Sequence, residues 1–427
     1  MNRSLFIVLA AALGLRWTTA LVTQTHPIFP PHYYTDAGQF HRNASTLAQR
    51  WSSGKGDLPS LSAEGRLYAV IAAGIYRAFG PHPIGPKLLN GLLSILTIWL
   101  WYRIASMFFP PACALWTAWA LALWPSHIFF TSQNLKESWI TLSCASFFFF
   151  CLRTLKEPEF RKASLFAAGC SLSLLITGFF RSYLVILSAA AVFPAAAHIG
   201  FRNHPEKRQA LALCLALIGT ILLYKPLYDA AFGRFISADS LYAIDPHSRA
   251  SLTPSTFSPE RPKRYVQPYS PEGISEFRRI RMSEDQNWAK KFSNRKIGTQ
   301  IFPDARFKTW GDVLRFWPKG AFYALFMPLP GLYPMDGQLG RMAAAAENLL
   351  LLFLFLMGLW TLRSFWRNPP AQMLFAFFII LSASYGLLEF DLGSASRHRL
   401  QHLPCLFPFA AAGLERLLRR RSAQCPN

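Results

Sequence analysis

A lone carboxylate, Asp36, stands among aromatic and small residues in Pro30-Pro31-His32-Tyr33-Tyr34-Thr35-Asp36-Ala37-Gly38-Gln39-Phe40. A carboxylate so placed can draw a proton from a hydroxyl as a general base, and Thr35 or Asp36 can equally cap the first turn of a helix. Further along, Ser132-Gln133-Asn134-Leu135-Lys136-Glu137 follows Trp124-Pro125 and precedes an apolar run, so Lys136 falls in the first turn of a predicted helix. A helix N-terminus together with a lysine attracts an anion such as a phosphate. Arg181 lies in the short turn Gly178-Phe179-Phe180-Arg181-Ser182, and Arg397-His398-Arg399 precede the last apolar run. Arginine grips phosphate through two parallel N–H donors. Each group also has a plainer use. Asn134 and Glu137 have capping-box spacing, Lys136 could snorkel to the surface, and Arg181 could anchor a hairpin at the interface. Arg397-His398-Arg399 could pair with Glu389 and Asp391 in their own loop.

The elements that must position these groups follow from composition. Of 427 residues, 52% are hydrophobic and only 15% charged, against about a quarter charged in a soluble domain. The chain therefore reads as an all-α integral membrane protein. Apolar runs at 4–22, 87–108, 112–131, 138–152, 163–177, 183–200, 209–224, 348–362, 372–388 and 403–418 give about ten transmembrane helices, within roughly nine to twelve. Arg3 ahead of the first run resembles the start of a signal peptide, but Arg16 interrupts the run and no clear cleavage site follows, so it counts as the first span. The net charge of +22 does not point to nucleic acid, because the basic residues sit largely in short loops between apolar runs. The basic loops at 153–162, 202–208 and 363–367 and the tail at 416–421 all fall on one side when ten spans are threaded in order. That side is the cytoplasm. Both termini are then cytoplasmic, and Asp36, Lys136, Arg181 and Arg397 share the outer face of the plasma membrane.

Two outer loops are long, 23–86 and 225–347. In the first, Phe40, Ala44, Leu47, Ala48 and Trp51 recur at three- and four-residue spacing, which predicts an amphipathic helix on the membrane surface with Asp36 at its mouth. The apolar piece at 67–79 is too short to span comfortably. In the second, a Pro-, Arg- and Ser-rich stretch at 225–269 precedes a basic amphipathic portion at 277–292 and a proline-broken apolar run at 316–330 that does not span. The organisation is thus an N-terminal module 1–224, an outer loop region 225–347 and a C-terminal part 348–427. The seven cysteines fall mostly in apolar runs and form no CxxC pair, so they read as small buried hydrophobes. Asn43-Ala44-Ser45 matches a glycosylation sequon of the kind that often arises by chance. No metal-ligand spacing is evident, which leaves any divalent metal open.

A carboxylate, a helix start and several cations at one outer surface suit group transfer from a lipid-phosphate donor. Asp36 would act as base and the cations would stabilise charge on the departing phosphate. At these residues the sequence resembles the polytopic GT-C glycosyltransferases, especially bacterial family-39-like membrane proteins that use polyprenyl-phosphate sugars. The resemblance rests on Asp36-Ala37-Gly38-Gln39-Phe40, on Trp124-Pro125-Ser126 followed by Lys136-Glu137, on Pro328-Leu329-Pro330 with Glu347, and on Arg397-His398-Arg399 with Pro404. It departs where many members carry paired Asp-Glu, because Ala37 follows Asp36 and leaves it the sole candidate base of that loop. The resemblance implies a GT-C-like bundle and an inverting hexosyl or pentosyl transferase of the cell envelope. Lys136, Glu137, Arg181, Arg397, His398 and Arg399 would bind the donor. The implied partners are a polyprenyl-phosphate sugar, a lipid, glycan or protein acceptor, and membrane lipids. The alternatives are a surface-polysaccharide polymerase or ligase, or a transporter or flippase of an anionic lipid or solute. Transporters place charges near the bilayer midplane, and the predicted spans carry few acidic residues away from their ends.

Overall fold

The computed structural model describes residues 3–27, 35–54, 65–201, 206–232, 270–293, 299–334 and 339–424. Among these the chain is helical: α1 Arg3–Thr25, α2 Thr35–Ser52, α3 Arg66–Phe79, α4 Ile84–Ala105, α5 Pro111–Leu123, α6 Pro125–Thr131, α7 Glu137–Lys156, α8 Phe160–Phe180, α9 Tyr183–Phe201 and α10 Lys207–Phe232. It continues with α11 Pro271–Ser293, α12 Trp310–Phe326, α13 Leu339–Leu362, α14 Pro369–Leu388, α15 Leu392–His398 and α16 Phe407–Gln424. Among the described residues eight helices are long and apolar enough to cross a membrane, and nine if the bent pair α5–α6 counts as one span. The protein is a multi-pass membrane protein. Residues 403–405 form a 3-10 turn, and α16 begins only at Phe407 and carries Glu415 and Arg416. The segment expected as a tenth span therefore falls outside the long apolar set. Of the proline-rich stretch at 225–269, residues 233–269 lie outside the described residues, as do Pro30 to Tyr34 beside Asp36.

The break between α5 and α6 shows how a buried charge is used structurally. Pro125 has no N–H, so it cannot bond the carbonyl of Leu121 four residues back, and the helix bends by 59° there. Arg16, buried in the middle of α1, donates to the Leu121 and Ala122 carbonyls at 3.2 and 3.1 Å. It also donates to Ser94 Oγ at 2.6 Å. The arginine that interrupts the first apolar run thus satisfies a proline-broken helix.

Elsewhere local signals set the element boundaries. Thr309 and Asp312 form a capping box at the start of α12, and Asn368 caps α14 by accepting from the Ala371 N–H. Where α12 crosses α14, a Cβ on Gly320 would stand 2.2 Å from the Gly386 carbonyl oxygen. Only small residues allow so close a helix contact. Between α1 and α4 in the chain, α2 lays Ala44, Leu47 and Ala48 against Ala72, Ala73 and Tyr76 of α3, as its three- and four-residue spacing predicts.

Candidate functional site

Several polar elements meet at one end of the bundle: the starts of α2, α7 and α9, the ends of α8 and α14, and α15. The loop before α7 is fixed by Asn90, whose side-chain N–H groups donate to the carbonyls of Gln133 and Leu135 at 2.7 and 2.8 Å. Tyr68 donates to Asn134 Oδ1 at 2.7 Å. The Asn134 amide reaches the Ala37 carbonyl at 3.4 Å, tying this loop to the helix that carries Asp36. The capping box expected of Asn134 and Glu137 does not form. Asn134 is drawn to Tyr68 and Ala37, α7 begins at Glu137, and the Glu137 carboxylate meets arginines instead.

Glu137 is the hub. It is buried, with Oε1 3.1 Å from Arg181 Nη2 and 3.3 Å from Arg397 Nε. The other face of Arg397 holds Asp36, whose side chain is 50% exposed. Lys136 donates to the Phe180 carbonyl at 3.1 Å, and Arg181 to the Tyr183 hydroxyl at 2.9 Å. Tyr183 continues to the Tyr385 hydroxyl at 3.1 Å, and Tyr385 donates to Gln401. Arg181 is therefore buried and turned towards Glu137 and Tyr183. Burial tends to raise the pKa of Asp36, but Arg397, with Lys136 and Arg181 behind it, overrides this and leaves the carboxyl below its ordinary range. Burial tends to lower that of Arg397, and Glu137 and Asp36 reverse this and raise it.

The structure thus brings Asp36, Lys136, Glu137, Arg181 and Arg397 together, with His398 alongside. The proposed loop pairing holds only for His398, which binds Glu389. Burial pushes the Glu389 carboxyl up to about 7, against the pull of Arg181 and Arg397. Asp391 instead caps α15 by accepting from the Ser394 N–H at 3.0 Å. Arg399 does not join the cluster. It is buried, donates to the Leu325 carbonyl at 2.7 Å and stands 3.5 Å from Glu347. Glu347 also accepts from the Ser126 N–H and hydroxyl at 2.9 and 2.6 Å, completing the satisfaction of the α5–α6 break.

Sequence reasoning did not single out Asn90, Tyr183, Tyr385 or Arg278. Arg278, buried, donates to the carbonyls of Leu387, Glu389, Ile301 and Phe302, so α11 fixes the end of α14 and the floor beneath Glu389. A polar Asn inside an apolar span is a usable signal for Asn90. Arg278 lies in a basic amphipathic run and carries no such signal. Among the described residues no group of three or more His, Cys, Asp or Glu gathers in a way that could hold a metal ion.

No protein-family model and no curated protein matches the sequence. Among solved structures, the archaeal oligosaccharyltransferase AglB from Archaeoglobus fulgidus, in complex with an inhibitory peptide and a dolichol-phosphate, is similar with a TM-score of 0.55 at 12% identity. That likeness covers 99% of this chain and 52% of AglB. The apo form of the Archaeoglobus fulgidus oligosaccharyltransferase gives 0.53 at 11% identity, over 98% of this chain and 52% of the other. The chain shares the fold of these oligosaccharyltransferase structures. This chain spans about half the length of the oligosaccharyltransferase it matches. A weaker likeness, with a TM-score of 0.41 at 13% identity over 96% of this chain and 77% of the other, is to ArnT from Cupriavidus metallidurans bound to undecaprenyl phosphate. In this bundle the charged cluster lies at one end of α7, α8, α9 and α14, where polar side chains converge on a half-exposed carboxylate.

Proposed function

We propose that the protein is a glycosyltransferase that moves a sugar from a polyprenyl-phosphate-linked donor to a hydroxyl on a lipid, glycan or protein acceptor, on the extracytoplasmic face of the plasma membrane. The observation that carries this reading is Arg397, which joins the half-exposed Asp36 to the buried Glu137–Arg181 pair. A GT-C fold like that of an oligosaccharyltransferase solved with dolichol-phosphate supports it.

In the reaction, Asp36 accepts the proton of the acceptor hydroxyl. The acceptor oxygen bonds to the anomeric carbon as the carbon–oxygen bond to phosphate breaks, and that bonding pair leaves with the phosphate. Attack from the face opposite the leaving group inverts the anomeric centre. Arg397, Arg181 and Lys136 stabilise the growing phosphate charge. Glu137 sets the spacing of the two arginines. Without a donor, Arg397 keeps Asp36 a weak base. A donor phosphate competes for the same guanidinium, and as it takes hold the Asp36 carboxylate is released with its basicity restored.

The test is Asp36→Asn, compared with the unaltered protein by mass spectrometry of lipid-linked sugars and surface glycans. Loss of a positioned general base lowers turnover about 10²–10⁴-fold. The variant should accumulate a polyprenyl-phosphate sugar and lose a glycan modification while inserting normally. Unchanged pools with normal insertion would reduce Asp36 to a helix cap.

A further inference from the structure

At the opposite end of the bundle a groove of about 750 Å³ opens between the end of α9 and the start of α14, lined by Pro194, His198, Trp366, Gln372, Phe375 and Ile379 among others. The directions of the helices separate it from the Asp36 cluster. From Tyr183 to His198 along α9 is roughly 22 Å at 1.5 Å per residue. The positive-inside reading assigns this end to the cytoplasm.

The groove is built from two kinds of surface. One wall is apolar and continues onto exposed bundle surface at Phe193 and Ile379. Trp366 and Phe375 meet edge to face at 6.3 Å at its mouth. The other end is polar and carries the guanidinium of Arg367, an exposed residue that also lines the groove. Among the described residues the lining holds no carboxylate. Gln372 Nε2 donates to the Trp366 carbonyl at 2.8 Å and approaches His198 Nδ1 at 2.9 Å. An amide nitrogen can only donate, so His198 Nδ1 accepts and the ring proton sits on Nε2. The remaining amide oxygen, Gln372 Oε1, is buried and receives no hydrogen bond among the described residues.

We propose that this groove is a binding site for an anionic phospholipid, distinct from the transfer site and independent of the function proposed for it. The phosphate lies on Arg367 and the His198 Nε2–H, and an acyl chain follows the apolar wall. A zwitterionic headgroup finds no carboxylate for its ammonium. An interfacial arginine contributes about 1 kcal/mol towards an anionic lipid, which is a roughly fivefold preference.

Native mass spectrometry of the full chain in detergent tests this with equal amounts of dioleoyl phosphatidylglycerol and dioleoyl phosphatidylcholine. The unaltered protein should retain phosphatidylglycerol in preference, and Arg367→Gln should reduce that preference roughly fivefold. Ile379→Trp, which fills the apolar wall and leaves the charge in place, should lower retention of both lipids. Equal retention of the two lipids by the unaltered protein, or a preference unchanged in Arg367→Gln, overturns the proposal. Arg367 is exposed, so its variant should fold, and a thermal melt confirms this before the comparison.

Discussion

Arg397 and Arg399 stand two residues apart and each meets a carboxylate, yet they serve opposite ends. Arg397 reaches a half-exposed Asp36 and shares Glu137 with Arg181, so one guanidinium serves two acceptors, one of them open to a ligand. Arg399 is sealed. Its two terminal nitrogens go to a backbone carbonyl and to Glu347, which is itself committed to the Ser126 N–H and hydroxyl. The neighbouring His402 is buried, and burial, with Arg399 and His398 adding to it, pushes its pKa down to about 3, so it stays neutral. A charged pair with one exposed member and shared donors can exchange partners. A charged pair whose members are both buried and engaged holds helices together. The change falls where α15 ends at His398 and a 3-10 turn begins at Arg399.

The largest effect should come from breaking the sealed pair. Removing one partner of a buried ion pair leaves the other uncompensated and costs about 3–5 kcal/mol. Arg399→Leu should therefore lower the thermal midpoint in detergent sharply and cut the yield of folded protein. Arg397→Gln should lower the midpoint less, since Asp36 is half exposed and the buried Glu137 keeps Arg181. Equal midpoint losses in the two variants would show that both arginines are braces.

A second effect lies at Glu389, the partner of His398, which stands between the two arginines. The pKa of Glu389 is raised from 4.5 to about 7, so the fold favours its neutral form. A raised carboxyl contributes stability that is complete below about pH 4.5 and is lost as pH climbs through about 7. The shift corresponds to about 3 kcal/mol. Glu389→Gln should flatten the fall in thermal midpoint between these pH values, and an unchanged slope would place the titration elsewhere.

Much of this contrast was written in residue type and sidedness. That Asp36, Lys136, Arg181 and Arg397 gather at one end of the bundle followed from threading the apolar runs in order, with Asp36 marked as a lone carboxylate among aromatics and the three cations by their places at span ends. The spans themselves were legible because long apolar runs leave little choice. Arg399 was not separable from Arg397, because burial depends on where α15 gives way to a tighter turn, and no sequence period marks that point. Glu137 read as a capping residue from its spacing alone. Its role as hub depends on Arg181 and Arg397, which lie on other helices. Arg16 read only as an interruption of an apolar run, because the carbonyls it satisfies belong to a helix more than a hundred residues away.

The smallest effect sharpens the comparison furthest, because it follows from partner exchange rather than from loss of a group. If Arg397 gives up Asp36 to take the donor phosphate, the resting pair opposes donor binding. Asp36→Asn keeps the side chain's shape and removes its charge, so the exchange no longer has to break an ion pair. A partly exposed pair is worth about 1 kcal/mol or less. Donor affinity in Asp36→Asn, measured by equilibrium binding of a short-chain polyprenyl-phosphate sugar, should therefore rise up to roughly fivefold even as turnover collapses. In the Arg397→Gln background the same substitution should change affinity little, because the competing partner is already gone. An affinity that falls in Asp36→Asn would mean that Asp36 contacts the donor directly, and that Arg397 and Asp36 bind it together rather than in exchange.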